Sequence, residues 1–236
     1  MEQGGNEGAK GHEIVVSLDR VTLEGELTVP KEPSGVVLFA HGSRSSRTSP
    51  RNREVARELG RRGLATLLFD ILTPDEEVAD QRTREFRFNM ALLAGRLMGV
   101  ADWVTHDPDI GELDIGLLGA STGAAAALIV AAEAPTLVGA VVSRGGRVEL
   151  AEGAVEGVLA PTLLLVGEKD EALIEANRSV LDRLPVEEKR LTVVEGAGHL
   201  FEEPGALEMV ADYAGDWFSR HLSTTGAAER RRAERE

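Results

Sequence analysis

The chain has 236 residues, of which 42% are hydrophobic and 28% charged, proportions typical of a folded soluble protein with a well-buried core. It contains no cysteine, which excludes disulfides, a thiolate nucleophile and cysteine-based metal sites. The formal net charge of −14 disfavours nucleic acid and anionic membranes as partners.

Both ends of the chain are polar. We expect residues 1–12 to form a flexible segment, residues 13–222 a single domain and residues 223–236 a charged tail. The tail is either solvated or part of a contact between two copies of the chain, which leaves a homodimer open. The first residues lack the apolar core of a secretory signal, and no apolar run is long enough to cross a membrane. We therefore expect a cytoplasmic protein.

The first half of the domain contains four strand patterns. Residues 13–18 and 21–29 alternate apolar and polar side chains, which predicts an antiparallel hairpin that turns at residues 19–20. The continuous apolar runs 35–40 and 64–69 are typical of strands buried inside a parallel sheet.

Helices are predicted between and after these strands. Residues 50–63 have an amphipathic pattern, with Pro50 in the first turn and Gly63 beyond the end. A single long helical region is predicted over residues 75–105. In the second half, the same criteria predict strands at 114–118, 137–142, 162–166 and 190–194 and helices at 123–132, 171–184 and 204–221.

This alternation predicts an α/β protein with a doubly wound, mostly parallel sheet of about eight strands. Residues 143–160, between the sixth and seventh strands, are too few for a separate cap domain, so we expect an open site. In such sheets, catalytic groups gather beyond the carboxyl ends of the strands. Polar residues follow predicted strands at 41–43, at Asp70, at 168–170 and at 196–199.

The segment 119–123, Gly-Ala-Ser-Thr-Gly, lies between a predicted strand and an alanine-rich helix. A serine with glycines two positions to either side, at a strand-to-helix turn, is typical of a nucleophile elbow. The glycines are needed because strand and helix pack closely at a strained turn. The helix that begins at Thr122 directs N–H groups toward the place where an oxyanion would develop during attack by Ser121. An ordinary helix N-cap is the alternative role for Ser121.

With these motifs the chain resembles the α/β-hydrolases, in particular a lidless branch similar to the dienelactone hydrolases. The resemblance covers residues 13–221, nearly the whole predicted domain. Four motifs at strand ends carry it: 41–42, 119–123, 167–170 and 198–199.

The resemblance implies a catalytic triad in the order nucleophile, acid and base, which Ser121, Asp170 and His199 obey. His199 would take the proton of Ser121, and Asp170 would fix the imidazole tautomer and stabilise the imidazolium. The backbone N–H groups of Ser43 and Thr122 would form the oxyanion hole.

Several of these residues have competing interpretations. Asp170 could cap the helix that follows it, and Glu168 is a nearby competitor for the role of the acid. His221 also follows the nucleophile, but its place at the end of the last helix favours a role in stabilising that end. His41 is interpreted as bracing the oxyanion loop, and Asp70 as a carboxylate that orders a loop.

Arginines are concentrated near the predicted site in this acidic chain. Four follow the third strand (Arg44, Arg47, Arg51 and Arg53), and Arg144 follows the sixth. They either pair with surface carboxylates or, for Arg44, Arg47 and Arg144, form a cationic mouth that binds anionic substrates. Dienelactone hydrolases bind a substrate carboxylate through arginines, but they use a cysteine nucleophile, which this chain lacks.

Together these features predict a serine hydrolase that cleaves small carboxylic esters or lactones through an acyl-enzyme, with no metal and no organic cofactor. The same triad could act on thioesters or amides, or use peroxide as the acyl acceptor. A non-catalytic ligand receptor on the same fold is an alternative from a different class. A small-molecule ester is the predicted partner, and neither nucleic acid nor a membrane is expected.

Overall fold

The computed structural model describes residues 11–42, 45–151 and 153–222. Within them the strands are β1 (His12–Ser17), β2 (Thr22–Thr28), β3 (Val36–Ala40), β4 (Ala65–Phe69), β5 (Ile115–Ala120), β6 (Val138–Arg144), β7 (Thr162–Gly167) and β8 (Lys189–Val194). The helices are α1 (Pro50–Arg61), α2 (Pro74–Thr83), α3 (Met90–Thr105), α4 (Thr122–Glu133), α5 (Glu171–Arg183) and α6 (Ala206–His221).

These eight strands form one sheet in the order β1-β2-β4-β3-β5-β6-β7-β8. β1 and β2 form the predicted antiparallel hairpin, and β2 also pairs antiparallel with β4. The other neighbouring strands are parallel. The predicted α/β fold with a mostly parallel sheet is therefore confirmed. The carboxyl ends of the parallel strands meet at one edge of the sheet, which we call the carboxyl edge.

Helices cover both faces of the sheet, because successive side chains of a strand point to opposite faces. Leu38 and Leu117 face a core shared with α3 and α4, whereas Phe39 and Leu118 face a core beneath α1 and α6. The residues of β3 and β5 are buried along their whole length, which explains their continuous apolar runs. Within the described residues, no helix combines the length and apolarity needed to cross a membrane.

The single long helix predicted over residues 75–105 is wrong. The chain forms two helices there, α2 and α3, separated by residues 84–89. The break begins at Arg84, which adopts the left-handed conformation with φ of 59°. No glycine or proline marks this segment, so the sequence lacks the usual signal for a helix end.

Side-chain hydrogen bonds explain the break. The carboxylate of Asp80 accepts hydrogen bonds from the backbone N–H groups of Phe86 and Arg87, both at 2.9 Å. The side chain of Asn89 then caps α3 by accepting from the N–H of Leu92 at 3.1 Å. These bonds replace the helical bonds that a continuous helix would make, and they redirect the chain into α3.

The end of β6 also differs from the prediction. Arg144 was expected to follow the strand, but it is the last residue of β6 and pairs with Ala120 of β5 and Leu165 of β7. Between β6 and β7, the described residues form two short 3-10 turns, Val148–Ala151 and Val155–Gly157, and no cap domain. The carboxyl edge is therefore uncovered on this side.

Candidate active site

Ser121 lies between β5 and α4 in a strained backbone conformation. Its φ of 51° and ψ of −120° fall outside the regions that non-glycine residues usually adopt. Although Ser121 occupies the N-cap position of α4, its side chain makes no capping hydrogen bond. This arrangement disfavours the N-cap interpretation and matches the geometry of a nucleophile elbow.

Close backbone approach explains the two glycines of the elbow. A Cβ atom on Gly119 would lie 2.4 Å from Cα of Ala124, and one on Gly123 would lie 2.0 Å from the carbonyl oxygen of Ala40. Both distances are far below van der Waals contact. The strand, the turn and the helix can pack in this way only when neither position carries a side chain.

The elbow is held between the neighbouring strands β3 and β6. The backbone N–H of Ser121 donates to the carbonyl of Arg144 at 3.3 Å, and the Ser121 carbonyl accepts from the N–H of Arg147 at 3.0 Å. On the other side, a Cβ atom on Gly42 would lie 2.8 Å from Cβ of Ser121. Gly42, the second residue after β3, therefore packs directly against the serine.

His199 and Asp170 form a hydrogen-bonded pair, with Nδ1 of His199 2.7 Å from Oδ2 of Asp170. Asp170 precedes α5, but its side chain does not cap that helix. A Nδ1–H that donates to Asp170 leaves Nε2 of His199 as the basic atom. The competing carboxylate, Glu168, instead accepts a hydrogen bond from the backbone N–H of Gly196 at 2.8 Å.

The imidazole of His199 approaches the segment that also contacts Ser121. A Cβ atom on Gly145 would lie 3.6 Å from Cε1 of His199, and Gly145 directly follows Arg144, whose carbonyl accepts the N–H of Ser121. The structure therefore brings Ser121, Asp170 and His199 to one part of the carboxyl edge. The side chains of His199 and Asp170 are 41% and 22% exposed, so this part of the edge is open to solvent.

The segment after β3 supplies one wall of this site. His41 is buried there: its Nδ1–H donates to the Gly42 carbonyl, and its Nε2 accepts from the N–H of Ile71, both at 3.0 Å. Burial lowers the pKa of His41, which fits a neutral ring with one donor and one acceptor nitrogen. Thr122 is the first residue of α4, next to the serine. Ser43, the other predicted oxyanion-hole residue, lies outside the described residues.

The sequence analysis missed Glu203. Its Oε2 accepts from the backbone N–H of Gly198 at 3.0 Å, and its Oε1 accepts from the ammonium of Lys169 at 3.1 Å. Glu203 thereby joins the residue before His199 to the residue before Asp170. The bond from Gly198 is the main cause that lowers the pKa of Glu203 to about 2. No sequence signal identifies these two contacts of Glu203, because only the folded loops bring Gly198 and Lys169 close to it.

The predicted cationic mouth is largely neutralised at Arg47. Its guanidinium pairs with the carboxylates of Glu13 (3.3 Å), Glu24 (2.8 Å) and Asp70 (3.1 Å). Asp70 also accepts a hydrogen bond from the backbone N–H of Arg47 at 2.7 Å, so it orders the loop after β3. Arg44 lies outside the described residues.

Arg144 is buried at the carboxyl edge without a carboxylate beside it. Its Nη2 donates to Oδ1 of Asn52 in the first turn of α1 at 2.8 Å. Its Nη1 is buried and has no hydrogen-bond partner among the described residues. Burial, and secondarily the nearby charge of Arg51, lower the pKa of Arg144 to about 10. Arg144 therefore remains a cation at neutral pH.

A cavity of about 560 Å³ opens beside the loop after β3. Its lining includes His41 and Asp70, the apolar side chain of Leu72 and the hydroxyl groups of Ser45 and Ser49. This volume lies within the range of small-molecule sites, but none of Ser121, Asp170 and His199 lines the cavity. Within the described ranges, no group of three or more His, Asp or Glu side chains is placed to hold a metal ion.

The fold and the carboxyl-edge arrangement define an α/β-hydrolase. A sequence profile of the dienelactone hydrolase family matches residues 23–227, and the chain belongs to that family. A crystal structure of a dienelactone hydrolase from Anabaena variabilis is 52% identical, with a TM-score of 0.89 over 92% of this chain and 100% of that chain. Est1E from Butyrivibrio proteoclasticus shares the fold at 17% identity, with a TM-score of 0.74 over 89% of this chain and 98% of that chain.

Two sequence relatives from strains of Mycobacterium tuberculosis carry a different name. Each is called a putative phosphoribosyl transferase and is 51% identical to this chain over 217 residues. The match covers 92% of this chain but only 48% of each relative. The chain thus spans about half the length of these relatives.

Proposed function

We propose that this chain is a serine hydrolase that cleaves small carboxylic esters or lactones through an acyl-enzyme. The observation that carries the proposal is the 2.7 Å contact between Nδ1 of His199 and Oδ2 of Asp170. This pair lies at the same edge of the sheet as Ser121, which has a strained backbone and whose side chain does not cap α4. The family supports hydrolase chemistry, and the chain lacks the cysteine that dienelactone hydrolases use, so Ser121 takes the place of the nucleophile.

In the proposed mechanism, Nε2 of His199 removes the hydroxyl proton of Ser121 as the oxygen attacks the ester carbonyl carbon. Asp170 holds the imidazole through Nδ1 and stabilises its charged form. The backbone N–H groups of Thr122 and Ser43 stabilise the oxyanion of the tetrahedral intermediate. The imidazolium then protonates the departing alkoxide. A water molecule attacks the acyl-enzyme by the same steps and releases the carboxylic acid and Ser121.

Small substrates are proposed because the carboxyl edge has no cap domain in its described part. The chain contains only six Phe, two Trp and one Tyr, which disfavours a long aromatic-lined acyl tunnel. Thioesters, amides and a peroxide acceptor remain compatible with the same triad, since attack on an acyl carbon and transfer of the acyl group to an acceptor use the same three residues.

We further propose that the ester carries an anionic group recognised by Arg144. The guanidinium of Arg144 has one Nη group without a hydrogen-bond partner among the described residues and no carboxylate beside it, whereas Arg47 is paired with three carboxylates. A carboxylate or phosphate of the substrate would supply the missing counter-charge. The name of the mycobacterial relatives refers to proteins about twice as long, and it is therefore not carried over to this chain.

The test is ester turnover and covalent labelling of the native chain and of Ser121→Ala. We expect a fluorophosphonate to label the native chain at one site and the native chain to hydrolyse short-chain nitrophenyl esters. Ser121→Ala should lose labelling and on the order of 10⁴-fold in kcat, as triad variants do. Ser179→Ala, an exposed serine of α5, is the matched control and should behave like the native chain. Native-like turnover by Ser121→Ala would refute the assignment, and ligand binding without turnover would favour the receptor alternative.

A further inference from the structure

A second groove lies beside α1, separate from the site described above. It has a volume of about 830 Å³, and its floor includes Glu26 and Thr28 of β2 with their pairing partners Leu68 and Thr66 of β4. None of the candidate triad residues lines it. Thr66 lies near the amino end of β4, whereas Ser121 follows the carboxyl end of β5. The groove is therefore not a part of the proposed active site.

Four cations and one carboxylate line this groove. Arg53, Arg57 and Arg61 follow one another at intervals of four residues, so they share one face of α1. Lys31, which follows β2, is the fourth cation. The carboxylate, Glu26, is already bound by Arg53 at 2.7 Å. The groove therefore has an excess of positive charge.

Two of these cations have no counter-charge. Arg57 and Lys31 make no ion pair or side-chain hydrogen bond with any described residue, whereas Arg61 pairs with Glu58 at 3.0 Å. In a chain with a net charge of −14, most of the surface repels anions. The groove therefore combines a volume suited to a small molecule with two cations that have no counter-charge among the described residues.

We propose that this groove binds a small molecule of nucleotide size that carries two or more phosphate groups. Guanidinium groups one helical turn apart can contact neighbouring phosphates of one ligand, and Arg57 and Arg61 have this spacing. Val29 and Pro30, both half-buried, add an apolar surface for the uncharged part of the ligand. The volume of about 830 Å³ falls within the range of ligand and cofactor sites.

Calorimetric titration of the full chain with ATP and with inorganic diphosphate at low salt tests this proposal. We expect saturable ATP binding that weakens as NaCl is added, because the contacts are ion pairs. Arg57→Glu should weaken ATP binding about 10-fold or more through loss of one contact and repulsion. Arg82→Glu, an exposed arginine of α2 outside the groove, changes the net charge equally and should have an effect of about 2-fold or less. Absence of ATP binding, or equal effects of the two variants, would overturn the proposal.

A second pair of variants leaves every cation in place. A Cβ atom on Gly60 would meet no atom within 4 Å, so α1 can accept a side chain there. Gly60→Glu puts a carboxylate in the groove and should abolish ATP binding, whereas the uncharged Gly60→Gln should weaken it much less. Native-like affinity of Gly60→Glu, or diphosphate binding tighter than ATP, would also overturn the proposal. Ser121→Ala should bind ATP like the native chain, which separates this result from the proposed hydrolase activity.

Discussion

At the scale of single residues, Arg144 is the most informative side chain outside the candidate triad. It is 8% exposed, and its guanidinium lies near the first turn of α1 with Asn52 as its side-chain partner. Burial of a cation without a neighbouring carboxylate is unfavourable, so the presence of an arginine at this position has to be explained. A substrate anion that balances the charge of Arg144 would explain it, because the carbonyl of Arg144 accepts a hydrogen bond from the backbone N–H of Ser121.

The proposed role of Arg144 in binding a substrate anion predicts that Arg144→Met has a different substrate preference. We expect kcat/KM for an ester with a free carboxylate to fall about 10-fold or more relative to its neutral analogue, because a charge-assisted contact is lost. Arg47→Met should not change the ratio, since Arg47 is already paired with carboxylates. The measurement is the ratio of kcat/KM for the two esters at low and at high salt. An equal loss for both esters in Arg144→Met would leave Arg144 with a structural role only.

At the scale of secondary-structure elements, the break between α2 and α3 depends on one buried carboxylate. Asp80 is 1% exposed and accepts hydrogen bonds from Phe86 N, from Arg87 N and from Nε of Arg87 at 2.6 Å. Burial by itself would raise the pKa of Asp80, but the hydrogen bonds from Arg87 and Phe86 more than offset this and lower it. The ionised form of Asp80 is therefore the form that stabilises the fold.

The sign of this pKa shift predicts how stability varies with pH. Because the pKa of Asp80 is lower in the folded state, its contribution is complete above the ordinary Asp value of about 4 and is lost as the pH falls further. We expect Asp80→Asn to lower the free energy of unfolding by about 3 kcal/mol at pH 7, since it removes the charged partner of Arg87, whose side chain is only 11% exposed. Urea unfolding at pH 7 and at pH 3 measures the difference.

The matched control is Asp75→Asn, an exposed aspartate in the first turn of the same helix, which should cost less than about 1 kcal/mol. The difference between the native chain and Asp80→Asn should shrink at pH 3, because the carboxylate takes up a proton in the unfolded chain below about pH 4 and the folded form with the lower pKa then loses part of its advantage. A difference that is the same at both pH values would mean that the ionised form of Asp80 is not what holds the break.

At the scale of the whole molecule, the scattered positions of the metal-ligating residues in the described part of the chain predict activity without a metal. The described residues hold no group of three or more side chains suited to a metal ion, and the proposed acyl transfer uses the triad and backbone N–H groups. We expect ester turnover to be unchanged after exhaustive treatment with EDTA. Turnover that disappears in EDTA and returns with Zn²⁺ would contradict the proposed mechanism.

Local sequence patterns predict much of the fold and of the candidate site. The alternation in the β1–β2 hairpin has the period of two that strands impose, and the continuous apolar runs of β3 to β5 are typical of strands buried on both faces, so together they predict the sheet. The elbow at 119–123 is predictable because its glycines are required by contacts between adjacent elements, at Ala124 and Ala40. The order of Ser121, Asp170 and His199 could be proposed from strand ends, since parallel strands bring their carboxyl ends to one edge.

The pairing of charged and polar side chains depends on contacts between segments that are distant in the chain, and local sequence patterns do not predict such contacts. Asn52 and Arg144 are 92 positions apart, and Lys169 and Glu203 are 34 apart, so neither pair has a sequence signal. The cations beside α1 likewise form a groove only because β2 and β4 lie next to that helix. The sequence by itself thus determined most of the elements, the class of fold and the order of the candidate triad, but not the break between α2 and α3. Only the tertiary structure decided which charged groups are paired and which remain open to a ligand, because pairing depends on distances that packing sets.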